Sequence, residues 1–115
     1  MQNQNEEHIL AVGAHSGDMD LTAGAVMAKY IQQGHRATFL HLTPEQYARQ
    51  KTDEAHAFAD TIGADVRFLE YKVAELPVND KVKYQVADVI REVKPTIIIG
   101  HWEGSMHVVR HHRCL

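Results

Sequence analysis

Residues 9–43, "ILAVGAHSGDMDLTAGAVMAKYIQQGHRATFLHLT", carry the pattern on which the fold turns. With His8 added, the stretch opens on "HILAVGAH" (8–15), a short apolar run of the kind a fully buried strand shows. A polar turn follows, and residues 20–33, "DLTAGAVMAKYIQQ", read as a helix closed by Gly34 at the position just past its last turn. Apolar residues run nearly all round that helix, which predicts deep burial. "RATFLHLT" (36–43) reads as the second strand.

The same alternation continues outward from this unit. Tyr47, Lys51, Ala55, Phe58, Ala59 and Ile62 recur at helical spacing, with only Lys51 breaking the apolar stripe, and Gly63 stops the helix. "DVRFLEY" (65–71) reads as a third strand. Val82, Val86, Val89, Ile90 and Val93 form the stripe of a third helix, ended before Pro95. "TIIIGHW" (96–102) is β-branched and continuous, which predicts a fourth strand buried on both faces. Strands and helices alternating through short connections predict an α/β fold, a Rossmann-like doubly wound parallel sheet with right-handed crossovers. With 115 residues there is room for one core, so residues 1–115 are expected to form a single α/β domain.

Composition narrows the function classes. A hydrophobic fraction of 44% and a charged fraction of 23% are those of an ordinary globular protein. A net charge of -3 opposes a phosphate-neutralising surface, so nucleic acid is not an expected partner. No apolar run approaches the ~20 residues of a membrane helix, and no membrane partner is expected. The start, "MQNQNEEHIL", is polar and acidic, unlike a signal peptide. The single cysteine, Cys114, can form no internal disulfide, a usage that suits the cytoplasm.

Histidine is the outlier, with nine residues, of which His101, His107, His111 and His112 fall in the last fifteen. In a doubly wound sheet, strands 1 and 4 are commonly neighbours, and ligands bind in the crevice outside their carboxyl ends. His15 and Asp18 follow strand 1, and the histidine-rich tail follows strand 4, so the two segments are expected to converge there. Neutral imidazole and carboxylate are good zinc ligands, and a catalytic zinc takes three protein donors. The competing reading is that Asp18 or Asp20 merely caps the next helix. Asp20 is read as a cap, and His8, His35, His41 and His56 as surface or locally hydrogen-bonding residues.

The quoted stretch resembles the amino-terminal segment of the PIG-L/LmbE family of zinc-dependent N-acetyl deacetylases, whose pattern there is roughly A-H-P-D-D-E or A-H-P-D-D-x-E. "VIREVKPTIIIGHWEGSMH" (89–107) resembles the family's second block, a strand ending near H-x-D-H. The resemblance implies His15 and Asp18 as metal ligands, His107 as the catalytic histidine at the reaction centre, and Zn2+ as cofactor; iron, manganese or nickel also suit the donors. Asp20 matches the trailing acidic residue of the longer motif. It further implies a metal-dependent hydrolase that removes an acetyl group from an N-acetylated amino sugar conjugate or a similar small-molecule amide.

Three positions depart from that pattern. Ser16 and Gly17 replace the proline and the first aspartate, which is the family's general base. The closing histidine of H-x-D-H falls on Arg110, whose guanidinium stays protonated and cannot ligate zinc. His111 is then the nearest candidate for third ligand, ahead of His112. Family members are about twice this length, so the chain is expected to lack the carboxyl-terminal part of the family fold, and it is short around Thr43 and Pro44, where a glycine-rich substrate loop is usual. A homo-oligomer covering the core surface so exposed is the oligomeric expectation. The departures motivate an alternative, a non-catalytic metal- or sugar-binding relative. A nucleotide-binding Rossmann domain is disfavoured, because the first turn lacks G-x-G-x-x-G and places acids where phosphates would sit.

Overall fold

The computed structural model describes residues 5–15, 18–43, 49–71 and 79–101. Seven elements alternate along the chain: β1 (His8–His15), α1 (Asp18–Gln32), β2 (Arg36–Thr43), α2 (Arg49–Ile62), β3 (Asp65–Phe68), α3 (Asp80–Val93) and β4 (Ile97–Ile99). The four strands form one parallel sheet in the order β3-β2-β1-β4. The chain therefore steps outward from β1 through β2 to β3, then returns across β1 to place β4 on its other side. That reversal makes the carboxyl ends of β1 and β4 the switch point of a Rossmann-like α/β fold.

Alternation along β1 and β2 divides the core into two layers. Leu10, Val12, Ala14, Leu40 and Leu42 meet Val82 and Val89 of α3 on one face. Ile9, Ala11, Ala37 and Phe39 meet Met19, Ala23 and Met27 of α1 and Ala59 of α2 on the other. A parallel strand covered on both faces reads as a near-continuous apolar run, which is why β1 showed no period of two. The helix stops lie where the residues demand. Gly34 and Gly63 both have positive φ, 93° and 83°, a conformation glycine adopts without steric cost. Lys94 caps α3 in the left-handed region at φ 54°, its amide donating to the Ile90 carbonyl at 2.8 Å.

Two expectations about burial are corrected. Helix α1 buries one face only: Met19, Ala23 and Met27 are inside, whereas Val26 is 49% exposed. Alanines on its remaining surface, Ala25 and Ala28, made the sequence look apolar all round, but such small side chains bury little area. Strand β4 is not buried on both faces, since Ile98 is 53% exposed. It lies at the edge of the sheet and, among the described residues, pairs with β1 alone through Ile9, Leu10 and Ala11. Strands β3 and β4 are also shorter than the apolar runs suggested, spanning 65–68 and 97–99. Among the described residues, no helix is long and apolar enough to cross a membrane.

Candidate functional site at the carboxyl ends of β1 and β4

The site is built on the turn from β1 into α1. His15 is the last residue of β1 and Asp18 the first of α1. The Asp18 carboxylate turns back toward the strand, and its Oδ2 accepts the His15 backbone N–H at 2.9 Å. The same oxygen lies 3.3 Å from His15 Nδ1 and 3.4 Å from His101 Nε2. All three side chains are largely buried, with 18, 8 and 12% of the side chains of His15, Asp18 and His101 exposed. The carboxylate thus engages the strand behind it and two imidazoles.

His101 reaches this point because β4 lies beside β1. Ile99 is level with Ala11, so the chain leaving β4 runs alongside the last residues of β1. There His101 Nε2 accepts the Ala14 backbone N–H at 3.0 Å. Thr43, at the end of β2, donates its hydroxyl to the Ala14 carbonyl at 2.5 Å. Both backbone groups of the residue before His15 are therefore held by side chains, one at the end of β2 and one just beyond β4.

Deeper in the α1/α2 face lies a second polar group. His41 is 1% exposed, and neither of its ring nitrogens has a hydrogen-bond partner among the described residues. Its ring stacks against Phe39 and Phe68, with centroids 6.3 and 5.4 Å away. Burial holds its pKa below the ordinary 6.5, against the opposing pull of Asp20, the His15 carbonyl and Asp18. Burial raises the Asp20 carboxyl, as does neighbouring Asp18, while His41 pulls it down. His8 is also buried, its Nε2 2.8 Å from Thr38 Oγ1. The reading of both as surface or locally hydrogen-bonding residues is corrected for His41, which is neither; His8 is hydrogen-bonded but buried, because both follow strands whose two faces are covered.

Among the expected site residues, His15 and Asp18 come together as anticipated from their spacing. His107 and His111 lie outside the described residues, as do Ser16, Gly17, Arg110 and His112. His101 was not singled out as a site residue. Its signal was its position two residues beyond the last residue of β4, where a doubly wound sheet binds ligands. The donor chemistry, imidazole nitrogen beside carboxylate oxygen, fits a divalent transition metal. Among the described residues no group of three His, Cys, Asp or Glu side chains is placed to hold a metal ion.

The fold and this cluster together define a Rossmann-like α/β protein with imidazole and carboxylate groups gathered at its switch point. Residues 10–115 match the family described as PIG-L, GlcNAc-PI de-N-acetylase, and the chain belongs to that family. A relative from Pseudomonas putida, 4-oxalmesaconate hydratase, is 24% identical over 86% of this chain and 45% of its own length. The crystal structure of the 4-carboxy-2-hydroxymuconate hydratase from P. putida KT2440 superposes with a TM-score of 0.80 at 23% identity, covering 92% of this chain and 53% of that one. The N,N'-diacetylchitobiose deacetylase from Pyrococcus horikoshii gives 0.79 at 15% identity, covering 94% and 46%. These structures share the fold, and the chain spans about half the length of the relatives it matches.

Proposed function

We propose that this chain is a metal-dependent PIG-L hydrolase that cleaves the amide of an N-acetylated amino sugar conjugate or a similar small molecule. The observation that carries this reading is the meeting of His15, Asp18 and His101 on one carboxylate oxygen at the switch point, in a chain matching the family over residues 10–115. Hydrolysis adds water across the C–N bond, releasing acetate and the free amine. Zinc is the proposed cofactor, and when bound it supplies Lewis acidity toward water and the acyl oxygen.

The chain's own residues then have definable tasks. His15 and Asp18 would hold the metal, with the Asp18 carboxylate oriented by the His15 amide. Their largely buried setting strengthens their electrostatic interaction with a bound substrate. His107 is the proposed group to polarise the acyl oxygen or protonate the departing amine. Gly17 offers no carboxylate, and a positioned base is typically worth roughly 10²–10⁴ in rate. Turnover is therefore expected to be slow unless another side chain takes the proton.

The test is acetate release from a panel of N-acetylated amino sugar conjugates and simple acetamides, with zinc supplied and with chelator. Metal-dependent acetate release supports the reading; none from any member of the panel rejects it. A hydratase relative aligned over 86% of the chain motivates a second reading, water addition to a carbon–carbon double bond. Loss of ultraviolet absorbance from conjugated unsaturated carboxylic acids, without acetate release from the panel, would favour it.

A further inference from the structure

We propose that the cavity at the amino ends of the strands binds a small zwitterion, a molecule carrying a carboxylate and an ammonium group on a short carbon chain. Its volume is about 570 Å³, within the roughly 300–1,000 Å³ of small-molecule sites. It lies at the opposite end of β1 from His15, about 23 Å away at ~3.3 Å per residue. The cavity exists because the α3 face of the sheet changes character along the strands. Leu10 and Leu40 belong to the core under α3, but two residues earlier the same face carries His8 and Thr38, with Arg36 and Asp65 level with them on the next strands. Charged groups resist burial, so the space beside the last turn of α3 is left open there. Apart from Val66 and Val93, every lining residue is polar or charged, which suits a hydrophilic ligand and opposes a packed protein surface.

The charges come in both signs, and part of each is uncommitted. Arg36 and Asp65 face each other at 3.9 Å, longer than the about 2.7–2.9 Å of a charge-assisted hydrogen bond, so each keeps capacity for a ligand. Arg67 and Glu92 pair with each other. Among the described residues neither Lys94 nor Glu6 forms an ion pair. Arg36 and Lys94 are thus available to a carboxylate, and Glu6 and Asp65 to an ammonium. A ligand of one sign meets repulsion from half of this set.

The floor is preformed. His8 and Thr38 are buried and joined, Nε2 to Oγ1 at 2.8 Å. The His8 amide donates to Thr96 Oγ1 at 3.0 Å, and the Thr96 amide donates to the His8 carbonyl at 2.8 Å. Burial and then Arg36 lower the His8 pKa while Asp65 and Glu6 oppose them, so both signs of charge act on this ring. Lys94 adds an independent observation. Helices α1 and α2 are followed by Gly34 and Gly63 at positive φ, but α3 by Lys94 at φ 54°. A side chain is strained there and glycine is not, and residues held in this way cluster at ligand clamps. Lysine costs the fold something and sets an ammonium at the cavity wall.

The experiment titrates the isotope-labelled chain, at low ionic strength, with γ-aminobutyrate, β-alanine and glycylglycine, all zwitterionic at neutral pH. Butyrate and butylammonium, with one charge each, are the controls. At least one zwitterion is expected to bind saturably, shifting the Arg36, Thr38 and Lys94 amide resonances while those of His15 and Asp18 hold still. Each control should bind about threefold or more weakly, the worth of an exposed ion pair. Lys94→Gly and Asp65→Asn test the two halves of the charge set. Glycine suits the cap and Asp65 is exposed, so both variants are expected to fold, each binding the zwitterion about threefold or more weakly. Saturation by none of the three zwitterions, a control that binds as tightly, or a variant that binds like wild type overturns the proposal. So do shifts confined to His15 and Asp18, which would put the ligand at the other end of the sheet.

Discussion

Thr43 shows how much of the site depends on single bonds. It is fully buried, and its hydroxyl supplies a hydrogen bond to the Ala14 carbonyl. Thr43→Val keeps the side-chain volume and strands that carbonyl, so unfolding in urea should show a loss of about 1–3 kcal/mol. Residue-scale legibility was uneven for a reason these bonds make plain. His15 and Asp18 could be paired from the sequence because three residues on a tight turn leave them no distance to be apart. For His101 the expected pairing of strands 1 and 4 brought only its segment to the end of β1; which of that segment's histidines meets Asp18 depends on where the chain lies beyond Ile99, 87 residues from its partner Ala14. His41 was misjudged because a lone polar residue in a strand says nothing of whether the face it lies on is covered.

At the scale of elements, local chemistry decided most boundaries. The α3 amino terminus is set by Asn79, whose Oδ1 accepts the Val82 N–H at 3.0 Å. Asn79→Ala should lower stability by about 1 kcal/mol, read as a shift of the urea midpoint with an unchanged slope. Contact between elements is governed by a residue whose role no pattern revealed. A Cβ on Gly24 of α1 would stand 2.7 Å from Phe58 Cζ of α2. The Phe58 ring already packs edge-on against Phe39, with centroids 5.9 Å apart, so it has little freedom to yield. Gly24→Ala is therefore expected to cost about 1–3 kcal/mol despite alanine's better helix propensity, measured by the same denaturation. Strand lengths were overestimated because apolar runs report burial, whereas a strand ends where its neighbour stops pairing.

The whole molecule carries its histidines into acid stability. Burial lowers the pKa of His41, and burial followed by Arg36 lowers that of His8, both from 6.5. The unfolded chain then binds these protons more readily than the folded one. Their contribution is complete above about pH 6.5 and is lost as pH falls below it. Asp20, raised by burial, acts in the opposite sense nearer its ordinary 3.8. The melting temperature should therefore decline from pH 7 to pH 5, and less steeply in His41→Phe, whose ring also suits the slot between Phe39 and Phe68. An equal slope in wild type and variant would show that His41 does not set this limb.

By itself the sequence determined the order of elements, the parallel sense of the sheet and the turn that brings His15 to Asp18. Each of these follows from interactions between residues close along the chain: alternating periods, glycines at positive φ, and a turn too short to separate its two donors. Only the tertiary structure decided that β4 is an exposed edge, that His41 is interior, and that His101 joins the cluster. Those depend on which surfaces meet after the chain crosses back over β1, and burial is a property of the partner surface as much as of the residue that bears it.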